Sequence, residues 1–119
     1  MDTRTFRITV RGAFDGLTDD QRAALLADAA AHDVLRAAFT PEGSLTYDIA
    51  ARPAFVFRFS ATGKEEEDIL EATEHAEAAA GAWLAERGYG FKNLRSSAED
   101  LSQAPLSKRQ RRAARTSDA

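Results

Sequence analysis

Apolar and polar side chains alternate strictly at the start of the chain. Phe6, Ile8 and Val10 are separated by threonine and arginine residues, among them Arg7 and Arg11. A period of two is typical of a β-strand with one buried face and one face in contact with water. This segment is therefore predicted to form the first strand, which ends at the glycine-containing loop that follows it.

A helix is predicted after this loop. Thr18 and Gln21 have the spacing of a capping box, in which each side chain bonds to a backbone amide of the other residue. The apolar positions that could form a stripe on this helix are Leu25, Leu26, Ala29 and Ala30. We expect the helix to end near residues 32–33.

Two more alternating segments follow, separated by a short link. Their apolar positions are Leu45, Tyr47 and Ile49 in the first segment, and Phe55, Phe57 and Phe59 in the second. Such neighbouring segments predict an antiparallel pair of strands. Residues 34–39 are compatible with either an extension of the first of these strands or a separate short strand.

The longest predicted element is a helix from about residue 64 to residue 87. Acidic residues crowd its beginning, where the helix dipole stabilises negative charge. Its apolar residues recur at helical spacing: Ile69, Ala72, Ala76, Ala79, Ala80 and Trp83. A last short strand is predicted from Phe91 to Arg95, and the spacing of Ser96 and Glu99 predicts a helical turn after it.

The predicted order is strand, helix, strand, strand, helix, strand. This order is typical of the ferredoxin-like βαββαβ fold, an α+β sandwich with an antiparallel sheet and both helices on one face. We predict a ferredoxin-like domain over residues 1–100 and a basic, flexible C-terminal tail over residues 101–119. The second face of the sheet is then open to solvent or to a partner.

The segment RPAFVFRF, residues 52–59, is similar in residue pattern to a base-stacking strand of an RNA-recognition domain. In such a strand, the aromatic side chains lie on the open face of the sheet. If the phenylalanines lay on that face here, Arg58 would be buried without a partner. Burial of an unpaired charge costs several kcal/mol. We therefore predict that the phenylalanines face the helices and that Arg58 faces outward, which disfavours base stacking.

Charge is distributed unevenly along the chain. The formal net charge is −3, but residues 1–100 hold 11 Lys or Arg and 18 Asp or Glu, whereas residues 101–119 hold five Lys or Arg and one Asp. An acidic body repels phosphate backbones, so nucleic acid is disfavoured as the main partner. The basic residues of the tail are the candidates for binding a polyanion: Lys108, Arg109, Arg111, Arg112 and Arg115.

Several kinds of site are not supported by the sequence. There is no cysteine, which excludes disulfides and thiolate chemistry. No apolar run has the length of about 20 residues that crosses a bilayer, and no signal peptide is recognisable, so we predict a cytoplasmic protein with no membrane partner. The two histidines, His32 and His75, lack the spacing of a metal pair. We predict no catalytic residue, no metal and no cofactor.

The predicted open face supplies the remaining candidates for a ligand or interface site: Arg7, Arg11, Arg58 and Lys92. Three functions stay open. The first is a non-enzymatic binding module that self-associates, as a homodimer, through the open face or an edge. The second is nucleic-acid or polyanion binding through the tail. The third is an enzyme that acts on a small anionic substrate at the arginine-bearing face.

Four segments carry a resemblance to known sequences: TFRITVRGAFDGLTDDQRAALL, HDVLRAAFTPEGSLTYD, EEEDI and RGYGFKNLRSSAEDLSQAPLSKRQRR. The chain resembles a family of short actinobacterial proteins that is described only as a domain of unknown function. The resemblance covers nearly the whole chain. It implies a bacterial, cytoplasmic, single-domain protein, and it implies no activity, cofactor or catalytic residue.

Overall fold

The computed structural model describes residues 3–101 of the chain. These residues form an α+β fold with a four-stranded antiparallel sheet and two α-helices. The elements are β1 (Arg4–Phe14), α1 (Asp19–Ala27), β2 (Ser44–Tyr47), β3 (Ala54–Gly63), α2 (Asp68–Glu86) and β4 (Phe91–Asp100). Two short 3₁₀ turns lie between α1 and β2, at Ala29–His32 and Val34–Arg36. Within the described part of the chain, no helix is both long and apolar enough to cross a membrane.

The strands are arranged in the order β2-β3-β1-β4, and each neighbouring pair is antiparallel. The predicted hairpin of β2 and β3 is confirmed. Ile8 of β1 lies opposite Phe59 of β3 on one side and Ala98 of β4 on the other. Because residues that face each other across a sheet point to the same side, this register aligns the apolar positions of β1 and β3.

The core lies between one face of the sheet and the helices. The predicted alternation is confirmed, since Phe6, Ile8 and Val10 are all 0% exposed. The three phenylalanines of β3 are buried on the same side, as are Ala76, Ala80 and Leu84 of α2 and Leu25 of α1. Small alanine side chains allow α2 to lie close to the sheet, and Leu84 fills a core position that the predicted stripe omitted.

Helix α1 is shorter than predicted. Its capping box is confirmed, because Gln21 N donates to Thr18 Oγ1 at 3.1 Å and Thr18 N donates to Gln21 Oε1 at 3.0 Å. The helix nevertheless ends at Ala27, and of the predicted stripe only Leu25 is buried. The Tyr47 hydroxyl donates to Leu25 O at 2.6 Å, so a contact from β2 satisfies one of the carbonyls that the end of the helix leaves without an intrahelical partner.

Residues 34–39 form neither of the predicted strand alternatives. Val34–Arg36 is a 3₁₀ turn, and Asp33 Oδ1 accepts a hydrogen bond from Leu35 N at 2.8 Å. Thr40 then makes an isolated parallel bridge to Phe59 of β3. The segment therefore passes the outer edge of β2 and reaches β3 directly.

Helix α2 begins four residues later than predicted, at Asp68. The carboxylate of Asp68 accepts hydrogen bonds from Lys64 N at 2.8 Å and Glu65 N at 3.0 Å, which hold the acidic segment in a turn before the helix. The amides of Glu65 and Lys64 favour the charged carboxylate and lower the pKa of Asp68.

Strand β4 is longer than predicted, and the helical turn expected at residues 96–99 is wrong. The strand continues to Asp100 because β1 offers a long edge with which it pairs from Phe6 to Phe14. Ser96 faces the helices and its hydroxyl donates to Glu77 of α2. The backbone ladder satisfies many more donors and acceptors than one capping box.

Candidate functional site

The sheet has one face that neither α1 nor α2 covers, here called the open face. The register places the following side chains on it: Thr5, Arg7, Thr9, Arg11 and Ala13 of β1; Ser44 and Thr46 of β2; Ala54, Val56, Arg58, Ser60 and Thr62 of β3; and Lys92, Arg95, Ser97 and Glu99 of β4. Five of these side chains are cationic and one, Glu99, is a carboxylate. The open face is thus locally positive on a body whose sequence is acidic.

Arg58 points away from the phenylalanines, as the sequence predicts. Its Nη1 donates to Thr46 Oγ1 at 2.7 Å, and Thr46 is only 4% exposed. Arg7 lies nearby, with its guanidinium carbon 5.0 Å from the centre of the Phe39 ring. This cation–π contact was not predicted, because Phe39 reaches the open face only through the path of the segment around β2. Both arginines have neutral partners.

Arg11 and Arg95 lie directly opposite each other in the β1–β4 ladder. Like charges at such positions destabilise a sheet. Arg11 and Arg95, together with Arg52, line a cavity of about 330 Å³. The small side chains of Ala13 and Ala54 are also part of its lining. Within residues 3–101, none of these three guanidiniums forms an ion pair with a carboxylate. The cavity is therefore rich in charged donors.

A β-bulge directs Arg95 to the open face. The register changes by one residue between Arg11 and Ala13, and Asn93 takes a left-handed conformation with φ of 58°. Gly12 lies at this irregularity, where an added Cβ would come within 2.6 Å of the Phe55 ring. Simple alternation from Phe91 would put Arg95 on the helix side, so sequence reasoning missed it.

Arg52 was also missed as a site residue. It lies in the turn before β3, where alternation gives no direction for a side chain. One signal was nevertheless present in the sequence. If the alternation of β3 is continued backwards from Ala54, Arg52 falls on the same outward-facing side as Arg58. The structure places Arg52 at the rim of two cavities.

The second of these cavities has a volume of about 480 Å³ and lies at the β2 edge. It shares Arg52, Ala54 and Val56 with the first cavity, so the two adjoin and form one groove that runs from the open face toward Leu26 of α1. Its apolar lining comes mainly from Leu26, Val34, Ile49, Ala29 and Ala50. Asp33, Asp48 and Arg58 also contribute to its wall. The groove is cationic at its β4 end and mainly apolar at its β2 end.

Burial changes the pKa of one titratable group in this second cavity. Tyr47 is 8% exposed and lines the cavity while its hydroxyl bonds to Leu25 O. Burial, with a smaller contribution from the negative charge of Asp28, raises the pKa of Tyr47 to about 12. The hydroxyl is therefore a neutral donor at physiological pH and fixes β2 to α1.

Lys92 does not join the predicted arginine candidates. Its Nζ lies 3.8 Å from Asp15 Oδ1, at the end of the sheet, and it lines neither cavity of the groove. Of the four candidates, Arg11 and Arg58 line the groove and Arg7 lies beside it. The tail candidates Lys108, Arg109, Arg111, Arg112 and Arg115 all lie outside the described residues.

Neither histidine is part of the groove lining. His32 Nδ1 is 3.0 Å from Leu45 O, and its ring stacks on Tyr47 at 5.2 Å. His75 is on α2, where it lines a separate cavity of about 360 Å³ between the helix and β3. Across residues 3–101, no group of three or more histidine, cysteine or acidic side chains is arranged to hold a metal ion.

These observations define a small α+β protein whose distinguishing feature is an arginine-rich groove on the uncovered face of its sheet. The chain belongs to the Family of unknown function (DUF6204), whose family model matches residues 1–112. The predicted membership in an uncharacterised family is confirmed, and an actinobacterial source stays a prediction. Searches of curated proteins and of solved structures returned no match.

Proposed function

We propose that this protein is a non-enzymatic binding module of ferredoxin-like architecture that holds a small anionic ligand on its open face. The strand order β2-β3-β1-β4 and the alternation of strands with α1 and α2 support the ferredoxin-like assignment. Concave sites of a few hundred Å³ are the usual size for small-molecule binding, which favours a small ligand over a protein surface.

One observation carries this function. Arg11, Arg52 and Arg95 converge on one cavity, and no described carboxylate pairs with them. Guanidinium groups present several donors in a fixed plane and bind oxyanions in a bidentate manner. A bound anion would neutralise the repulsion between the two opposed arginines, so the site gains most from a ligand of negative charge.

The positions of the histidines support a role in binding rather than catalysis. The ring of His32 is engaged by Leu45 O, and His75 lies on α2 on the other side of the sheet. An imidazole acts as a general acid or base only within hydrogen-bond reach of the substrate. Neither imidazole is part of the groove lining, although His32 stacks on Tyr47, which is.

Self-association through the open face fits this charge distribution poorly. A two-fold dimer places the same surface of both copies in contact, which would bring the arginines of one copy against those of the other. We therefore assign any homodimer contact to the outer edge of β4, which pairs only with β1 within the described residues. Sedimentation equilibrium at low and high salt tests this assignment, because a face-to-face dimer would strengthen with salt.

Thermal unfolding with increasing phosphate, sulfate or citrate, at constant ionic strength, tests the function. A ligand that binds only the folded state stabilises it by RT ln(1 + L/Kd), where L is the ligand concentration, so the melting temperature rises with ligand concentration. We expect the wild type to gain stability and the double variant Arg11→Glu, Arg95→Glu to lose this gain. The matched control is Arg22→Glu, Arg36→Glu, which reverses two exposed charges outside the groove. Equal gains in all three proteins would refute anion binding at the open face.

A further inference from the structure

The cationic cavity and the apolar cavity are adjacent compartments of one groove. They share Arg52, Ala54 and Val56, which all lie on the open-face side of β3 or of the turn before it. Ala54 and Val56 are short side chains between longer ones, so the surface dips along this line. A single ligand that crosses Val56 would contact both compartments.

The β4 end of the groove is suited to an oxyanion. Arg11 and Arg95 stand on neighbouring strands in direct register, and Arg52 reaches the same cavity from the turn before β3. Asn93, which the bulge places in the lining, adds an amide group that can donate further hydrogen bonds. No acidic side chain lines this cavity within the described residues.

The β2 end of the groove is suited to a hydrocarbon body. Leu26 and Val34 line it although they are 44% and 64% exposed. Ile49, at 2% exposure, forms part of the same wall. Apolar side chains that are exposed together around a concavity gain stability when an apolar group covers them.

The acidic residues of the groove are at this apolar end. Asp33 already accepts a hydrogen bond from Leu35 N, and Asp48 is exposed in the turn after β2. Their charges offset those of Arg58 and of the shared Arg52, so an anionic group is attracted more strongly to the β4 end, where three arginines meet no described acidic side chain. The ligand is therefore oriented with its charged head near β4 and its body near β2.

We infer that the groove binds a small amphiphilic oxyanion, with the anionic head between Arg11, Arg52 and Arg95 and the apolar body over Val56 against Leu26, Val34 and Ile49. This inference rests on the proposed function and adds to it the chemical class and the orientation of the ligand. The head is a phosphate or a carboxylate, since both accept bidentate hydrogen bonds from guanidinium groups.

The test uses four probes that separate head from body: hexyl phosphate, hexanoate, inorganic phosphate and hexanol. Binding is measured by NMR titration of the full chain, with the arginine Nε–Hε signals and the methyl signals of Leu26 and Val34 as reporters. We expect hexyl phosphate or hexanoate to bind saturably and at least tenfold more tightly than inorganic phosphate, and hexanol to show no saturable binding. The tighter of the two amphiphiles identifies the head group.

Two variants with matched controls locate the two ends. Arg95→Gln should weaken binding of the tighter amphiphile at least tenfold, whereas Arg22→Gln should change it less than twofold. Val34→Ser should weaken the same amphiphile at least threefold and leave inorganic phosphate unchanged. Leu70→Ser is the control for Val34→Ser, because Leu70 is similarly exposed, at 67%, but lies on α2 outside the groove. All four positions are exposed, so the variants should fold.

Failure of this inference is distinguishable from failure of the proposed function. If amphiphiles and inorganic phosphate bind within twofold of each other, and Val34→Ser affects neither, the amphiphilic ligand is excluded while anion binding stands. If hexanol binds as tightly as hexyl phosphate, the anionic head is excluded. If no anion shifts the signals of Arg11, Arg52 and Arg95, both proposals are overturned.

Discussion

The two faces of the sheet are built from alternate residues of the same strands, yet they differ in nearly every physical respect. On β1, Phe6, Ile8 and Val10 are fully buried against the helices, whereas Arg7 and Arg11 are exposed on the open face. The helix-covered face is held by contacts among apolar side chains. The open face keeps two opposed arginines, Arg11 and Arg95, whose like charges destabilise the sheet. One face thus stabilises the fold, and the other carries the arginine-rich groove on which the proposed function rests.

The largest expected difference between the faces is the loss of stability when a side chain is truncated to alanine. Phe57→Ala should lower the free energy of unfolding by about 3–5 kcal/mol, because it removes a buried ring from the core. Val56→Ala, one residue away on the open face, should cost about 1 kcal/mol or less. Urea denaturation followed by circular dichroism measures both. Equal losses would contradict the assignment of the two faces.

The next largest effect concerns the bulge that turns Arg95 toward the open face. Asn93→Val should lower the free energy of unfolding by about 1–2 kcal/mol, since a β-branched residue is disfavoured at φ of 58°. Asn93→Gly should be neutral or slightly stabilising, because glycine adopts this conformation freely. Both variants are measured by urea denaturation. If valine and glycine behaved alike, Asn93 would not occupy the left-handed region in solution.

A smaller effect on the helix-covered side depends on pH. Tyr47→Phe should lower stability at neutral pH by about 1 kcal/mol, because Leu25 O loses its donor. The pKa of Tyr47 is about 12 in the folded protein against 10 for an ordinary tyrosine. As the pH rises, the unfolded chain therefore releases the Tyr47 proton before the folded protein does. The contribution of Tyr47 to the free energy of unfolding is complete below about pH 10 and declines as the pH rises toward 12.

Thermal unfolding between pH 8 and pH 12 tests this linkage to the pKa of Tyr47. The wild type should lose stability over the upper part of this range, and Tyr47→Phe should lose less. Tyr89→Phe changes the other tyrosine of the chain and serves as the control. An identical alkaline decline for wild type and Tyr47→Phe would show that Tyr47 is not the responsible group.

The smallest effect should have the opposite sign. Arg95→Thr should raise the free energy of unfolding by about 0.2–1 kcal/mol in the absence of an anion, because it removes a like-charge pair with Arg11. Arg58→Thr is the contrasting variant, and it should destabilise because Thr46 loses its hydrogen bond. If Arg95→Thr destabilised the protein, Arg95 would have a stabilising partner, and the comparison of the two faces would lose its basis.

The sequence predicted the buried faces of β1 and β3 because alternation is a local property. Phe57 and Arg58 are neighbours, so the orientation of one determines that of the other. The capping box of Thr18 and Gln21 was predictable for the same reason, since both partners lie within one helical turn. Arg7, Arg11 and Arg58 could therefore be assigned to the open face from sequence.

The groove was not predictable because its parts come from distant segments. Arg95 reaches it only through the register of β4 on β1 and the bulge at Asn93. Lys92 was predicted with the arginines, but Asp15 pairs with it at the end of the sheet. At the end of α1, the carbonyl of Leu25 likewise has a distant partner, the hydroxyl of Tyr47, which is 22 residues away.

The local pattern of residues is enough to assign the inward and outward side chains of β1 and β3, because neighbouring residues in a regular strand point to opposite sides. The end of α1, the length of β4, the direction of Arg95 and the meeting of the arginines are not contained in that pattern. Those outcomes depend on strand register and on backbone bonds between residues far apart in the chain. The energy of such long-range pairing exceeds a local preference such as the capping box of Ser96 and Glu99.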